Sequence, residues 1–349
     1  MLEATVRLAR LLASPQRRWW MEDALLSVVE RHGAPEDSRM LLGEFLRSPS
    51  RCERIIPALI AHGDHETAAV LADRFVVDGR LIEETPVGVL EVLGALGLNE
   101  ATPTLFHYLC HGDHSEGRSA ALGLLHLPCT EIRAEIAREI DGCEGRHLFP
   151  EFIPALACKT GDASWIDRLV AMGDAASTDC NGGLLLGIAL FGEQARDRFT
   201  KVLWDQHWEA NDTGTGSCRW AYVGTKLLGL TPEVLYADLC GRLSDHDDVR
   251  STRYCVSVLV KMVERWAEGA STGLRWLPAA PMSATALLHL LFDWSDPNRD
   301  DGLAGRVKEA LGKEYWDSGL HNHIHGLEQE LNLRMQHEVE LSWALARTC

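Results

Sequence analysis

The sequence predicts an all-α protein built from stacked antiparallel helices. Apolar residues recur at three- and four-residue spacing almost throughout, whereas convincing strand signals appear almost nowhere. A tetrad, His62-Gly63-Asp64-His65, returns 49 residues later as His111-Gly112-Asp113-His114. A further 49 residues on, Gly161-Asp162 stands in the same register without the histidines. Gly then Asp reads as a helix stop followed by a helix start. Glycine takes the left-handed conformation that ends a helix, and aspartate accepts backbone N–H bonds as the N-cap of the next.

The elements follow in order. Leu2, Val6, Leu8 and Leu12 mark a first helix closed by Ser14-Pro15, and Trp20, Ala24, Leu25 and Val28 a second that ends near His32-Gly33. Leu41, Leu42, Phe45 and Leu46 make a third. Ile55, Ile56, Leu59 and Ile60 lead into the first tetrad, and Ala68, Leu71, Ala72 and Phe75 lead out of it. Thr85-Pro86 opens a helix through Val89, Leu90, Leu93 and Leu96. Asp113 and Glu116 have capping-box spacing. Helical patterns continue over 132–140, 165–172, 183–191, 195–208, 220–228, 232–243, 249–266, 284–294, 303–315 and 320–345. Asn181-Gly182-Gly183 reads as a helix-starting turn and 211–216 as a loop. A 49-residue period holds three helices, but hairpins of about 33 residues fill two periods equally well. Both divisions stand open at this point.

Asp113 followed by Arg118-Ser119-Ala120-Ala121-Leu122-Gly123, and Asp248-Val249-Arg250, resemble the second helix of HEAT-like repeats. The resemblance covers residues 53–175 and, more weakly, 230–265. It implies a right-handed α-α superhelix, a HEAT-like solenoid, with Asp113, Arg118, Asp248 and Arg250 in a polar ladder between repeats. On that reading residues 1–52 are N-terminal capping helices, 53–270 the repeat array and 271–349 a C-terminal helical cap. The family has no common reaction, so architecture alone names no chemistry.

Composition narrows the function classes. The formal charge is −17, from 51 acidic and 34 basic residues, of which six are lysines. Nucleic-acid binding needs clustered Lys and Arg and is not expected; an acidic surface suits a basic protein partner. No apolar run is long enough to span a bilayer. The ten cysteines include no Cys-x-x-Cys pair, and Cys110, Cys158, Cys240 and Cys255 lie within apolar helical patterns. Free buried thiols in a cytoplasmic protein are the expectation. Oligomeric state is left open.

Two groups of residues invite a site. The tetrads offer His62, His65, Glu66, His111, His114 and Glu116, whose imidazoles and carboxylates suit Fe, Mn or Zn if stacking brings both turns to one edge. A HEAT-like di-iron hydroxylase family uses repeated His-Glu dipeptides in this way. Here only His65-Glu66 and His337-Glu338 are such pairs. The plainer reading sets His62 and His111 against helix C-terminal dipoles, with His65 and His114 exposed in first turns. His321, His323 and His325 read as a surface cluster. The second group is aromatic: Trp204, Trp208 and Trp220 with Glu209 and Asp212, an aromatic and acidic patch able to receive Arg or Lys, unless the rings pack in the core. The loop 211–216 lacks the Gly-Lys-Ser/Thr ending of a phosphate loop.

The resulting expectation is a non-enzymatic HEAT-like scaffold that binds a basic protein and carries no cofactor, with a toxin-neutralising immunity protein or an assembly adaptor as examples. Two alternatives stand beside it: a metal-dependent, di-iron-like enzyme on the tetrads, and a small-molecule binder using the solenoid groove.

Overall fold

A computed structural model describes residues 2–13, 19–50, 52–159, 163–205 and 217–230, together with Trp208, Val234, Leu235, Asp238 and Val258. The described residues are predominantly helical and divide into two compact units, one ending at Glu139 and the other beginning at Ile140. Apart from Val234, Leu235, Asp238 and Val258, the expected helices beyond residue 230 lie outside the described residues, as do the expected C-terminal cap over 271–349, Gly161-Asp162, Asp248, Arg250 and the four histidines from His321 to His337. Among the described residues no helix is long and apolar enough to cross a membrane.

The first unit holds α1 (Leu2–Ala13), α2 (Trp19–His32), α3 (Pro35–Arg47), α4 (Ile56–His62), α5 (His65–Phe75), α6 (Gly88–Ala95), α7 (Thr102–His111) and α8 (His114–Leu124). They pack as pairs, α1 with α2, α3 with α4, α5 with α6 and α7 with α8. The second members then form a row, α2 on α4, α4 on α6 and α6 on α8. Residues 1–52 are thus continuous in packing with the helices that follow. The core is mainly apolar: Leu41, Phe45, Ile55, Leu59, Leu71, Val89, Leu90 and Leu105 are fully buried, with Phe45 edge-on to Phe75 at 5.8 Å, while buried Asp37 accepts from the Thr5 hydroxyl at 2.6 Å.

In the second unit are α10 (Ile153–Cys158), α11 (Trp165–Ala175), α12 (Thr178–Leu190), α13 (Arg196–Leu203) and α14 (Ser217–Leu227); α9 (Arg133–Cys143) begins in the first unit and ends in the second. The same row recurs, with α10 on α12 and α12 on α14. Every residue from Cys180 to Ala189 is buried, because α12 also meets α11 and α13. A helix apolar on all sides belongs in the middle of a core. Asn181-Gly182-Gly183, expected to be a helix-starting turn, lies inside this helix. A Cβ on Gly183 would run into the backbone at Glu151, so glycine serves close packing there, overriding its weak helix propensity.

In the first unit the first helices of successive pairs begin at Leu2, Pro35, His65 and Thr102, so there the division is a two-helix unit of about 33 residues. The tetrad spacing of 49 is one and a half such units. His62–His65 links one pair to the next, α4 to α5, whereas His111–His114 joins the two members of a pair, α7 to α8. Surface ion pairs tie alternate helices around the second unit: Arg168 of α11 meets Asp141 of α9 at 2.6 Å, and Arg198 of α13 meets Asp167 of α11 at 2.9 Å. These residues form a ladder, while Asp113, expected in one, is committed to its own helix cap.

A further element escaped the helical reading. Val76–Val77 and Arg80–Leu81 pair as a two-stranded hairpin, β1 and β2, in the connection from α5 to α6. Asp78 and Gly79 both take positive φ, the requirement of the tight turn that matches strand twist. Asp-Gly between apolar residues was the available signal.

The tightest constraint lies between α6 and α8, where a Cβ on Gly94 would collide with the Gly123 backbone and one on Gly123 would sit 2.8 Å from the Leu90 carbonyl. Gly94→Ala should therefore destabilise the protein by about 1–3 kcal/mol, although alanine is the better helix former by about 1 kcal/mol. Gly43→Ala in α3, where the added methyl meets open space, should be neutral or stabilising. Denaturant unfolding of the two variants checks the contrast.

Candidate functional site

The row of second helices carries a cleft of about 500 Å³. Leu26 and Glu30 of α2, Glu53, Arg54, Ile56 and Pro57 around the start of α4, Val87 and Gly88 at the start of α6, and Ser119 of α8 line it. Sequence periodicity explains how it arises. Pro57 fits the first turn of α4, where its missing N–H costs nothing, and Gly88 has no side chain to obstruct Ile56, whose Cδ1 would lie 2.6 Å from an added Cβ. The lining pairs apolar side chains with two carboxylates and one guanidinium. None of these residues stood out in the sequence as a site candidate. Only the two-helix register brings four distant segments together.

The tetrads perform turn chemistry. Asp64 caps α5, its carboxylate accepting the Thr67 N–H at 2.9 Å and the Thr67 hydroxyl at 2.9 Å. These hydrogen bonds, the backbone one first, hold its carboxyl below the ordinary aspartate range. Asp113 accepts from the Glu116 N–H, and Glu116 Oε2 accepts from the Asp113 N–H, both at 2.9 Å, completing the expected capping box. The glycines differ from expectation. Gly63 and Gly112 are extended, with φ of −71° and −73°, not left-handed. Their reason is space: a Cβ on Gly63 would lie 2.5 Å from the Leu59 carbonyl and 2.8 Å from Leu96, and one on Gly112 would lie 2.5 Å from the Tyr108 carbonyl.

The histidines of the tetrads are not equivalent. His62 is half-buried, and its Nε2–H donates to the Glu30 carbonyl at 2.9 Å, satisfying one of the free carbonyls at the end of α2. His65, Glu66, His111 and His114 are exposed, and Glu116 is half-buried. Because one turn joins pairs and the other lies within a pair, antiparallel packing sets them at opposite ends of the helices. Six potential ligands are thereby split between two places. Among the described residues no group of three His, Cys, Asp or Glu is arranged to hold a metal ion.

The structure places all three tryptophans inside the second unit. Trp204 is 5% exposed, and Trp208 and Trp220 are fully buried. Trp204 Nε1 donates to Asp238 Oδ2. The Trp208 ring covers Gly173 of α11, and its carbonyl accepts the buried Asn181 amide N–H at 3.0 Å. Trp220 packs edge-on against Phe152 at 5.0 Å. Glu209, Asp212 and the loop 211–216 lie outside the described residues. Cys52, Cys129, Cys143, Cys158 and Cys180 are buried as expected. Burial pushes the Cys110 thiol up to about 11, so it is not a ready nucleophile at neutral pH.

Compared with protein-family models, curated proteins and solved structures, the chain matches none of them.

Two outcomes follow from this geometry. Trp208→Ala should cost about 3–5 kcal/mol of stability, whereas an exposed partner-binding ring would leave unfolding nearly unchanged; chemical denaturation distinguishes these. For Asp64 the depressed folded-state pKa means its ionised cap contributes above the unfolded value, near 3.8, and is lost as pH falls through the lower folded value. Asp64→Asn, which keeps an acceptor without the charge, should therefore show a stability deficit at neutral pH that closes below about pH 4. Thermal unfolding across pH 2–7 of both proteins measures it.

Proposed function

We propose that the chain is a non-enzymatic, HEAT-like helical-repeat scaffold, a right-handed superhelix of helix pairs, that binds a basic protein. The observation that carries this reading is the cleft over α2, α4, α6 and α8. Its lining puts Glu30 and Glu53 beside Leu26, Ile56 and Val87, the combination that receives a cationic side chain with an apolar neighbour. Arg54 in the same lining adds selectivity, since it disfavours a uniformly basic segment and favours one that presents an acceptor as well. The charge of −17 extends the attraction beyond the cleft and speeds encounter with a basic partner. A toxin-neutralising immunity protein and an assembly adaptor are both roles of this kind.

A second reading draws on the volume of the same cleft. About 500 Å³ falls within the range of small-molecule sites, and a compact ligand with an amine or amide would meet the two carboxylates. Native mass spectrometry of the purified protein would reveal such a ligand as an added mass lost on denaturation.

The protein-binding reading predicts that immobilised protein retains basic proteins at low ionic strength and releases them as salt rises, because a Debye length of about 10 Å at 0.1 M shrinks to about 3 Å at 1 M. Glu30→Gln with Glu53→Gln should lower retention of a given partner by about tenfold while leaving thermal unfolding unchanged. Retention that is indifferent both to salt and to these substitutions would sink the proposal.

A further inference from the structure

His107 and His111 stand one turn apart on α7, at the i and i+4 positions that share a helical face. Their ring centroids are 5.0 Å apart and their planes are tilted by 50°. This separation has a chemical meaning. Metal–imidazole bonds of about 2.0–2.1 Å place the centres of two rings that share one ion about 4.5 Å apart in the tetragonal arrangement copper(II) takes and about 5 Å apart in the tetrahedral one of zinc(II). The pair as it stands is already near that spacing, so chelation requires ring rotation and little backbone movement. Helical i, i+4 histidines are the arrangement that holds zinc in metalloprotease helices, where a further protein ligand completes the site.

The surroundings suit a neutral imidazole. His107 is half-buried, and desolvation, then the electrostatic influence of Arg80 and His111, hold it below the ordinary histidine range, against the opposing pull of Glu116. A ring nitrogen with a free lone pair is what a metal ion needs. The groups facing His107 are therefore Arg80 from the β hairpin, His111 on the same helix and Glu116 at the start of α8. Arg80 opposes a cation and Glu116 offsets it. The Glu116 Oε2 atom is engaged by the Asp113 N–H, so Glu116 contributes charge through a carboxylate already fixed in place.

We propose that His107 and His111 form a two-imidazole chelate for a late divalent transition-metal ion, with copper(II) held more tightly than zinc(II). No third protein ligand is arranged with them among the described residues, which leaves the other coordination positions to water. The order follows from imidazole donors and the rise in affinity toward copper along the first row. Binding would also link the last two turns of α7, so the folded state gains stability with metal concentration.

The test uses the full chain carrying His321→Ala, His323→Ala and His325→Ala, because those imidazoles would compete for copper. Copper(II) chloride and zinc(II) chloride are titrated by calorimetry, and the copper form is read by electron paramagnetic resonance for nitrogen ligands. The expected result is one equivalent of copper(II) with two-nitrogen coupling, weaker zinc(II) binding, and a rise in Tm with copper. His107→Ala or His111→Ala should weaken copper binding by about tenfold or more, while His114→Ala leaves it unchanged. His111 is exposed, so its removal is decisive even where His107→Ala disturbs folding. Unchanged copper affinity in His111→Ala overturns the proposal. An equal loss in His114→Ala overturns it too, since that would place the ion on the tetrad rather than on α7.

Discussion

The close approach of neighbouring second helices is the constraint on which the architecture rests. In the first unit it is achieved where Gly94 meets Gly123, backbone against backbone, with no room for a methyl group. In the second unit Gly183 plays the same part against Glu151 at the start of α10. Interiors are packed densely enough that a helix pair cannot separate slightly at one point without opening contacts along its length. Fully buried Val89, Leu90, Val92 and Leu93 on α6 depend on that spacing. So does the cleft, whose walls come from all four second helices of the first unit.

Helix existence was legible because it is written locally. The 3.6-residue pattern, the Asp64 and Asp113 caps and the Asp113/Glu116 box each involve residues within a few positions of one another, and each appears in the structure. The unit length was harder to read. Identical turns at 49 residues suggest equivalence, yet turn chemistry is indifferent to whether it closes a hairpin or links two. The repeat in sequence marks helix ends; contacts between helices define the unit. Glycine misled for a related reason. At Gly63 and Gly183 it answers to crowding by Leu96 and Glu151, distant neighbours that no local pattern reveals.

The candidate sites were legible in proportion to how local their geometry is. Tryptophan and acidic residues adjacent in sequence look like a patch, but sequence adjacency does not fix which side chains the fold buries. Trp204, Trp208 and Trp220 are instead buried, Trp208 over Gly173 of α11 and Trp220 against Phe152, where their large apolar area is worth most. The cleft has the opposite character. Glu30, Glu53, Val87 and Ser119 are spread over about ninety positions and carry no motif, so only the row of second helices makes them neighbours.

The same distinction separates the tetrad histidines from the pair on α7. Within His111-Gly112-Asp113-His114 the glycine ends one helix and the aspartate starts the next, so the two imidazoles belong to different helices with different directions. His107 lies outside the tetrad, and its spacing to His111 is that of the helix itself. A regular helix puts side chains four apart on one face as neighbours, whereas a two-residue turn is shaped by its caps. Capping already uses Asp113 and Glu116, and His62 is spent on the carbonyl of Glu30. The imidazole pair that the fold brings together is therefore a product of helical register, His107 with His111, rather than of the motif that first draws the eye.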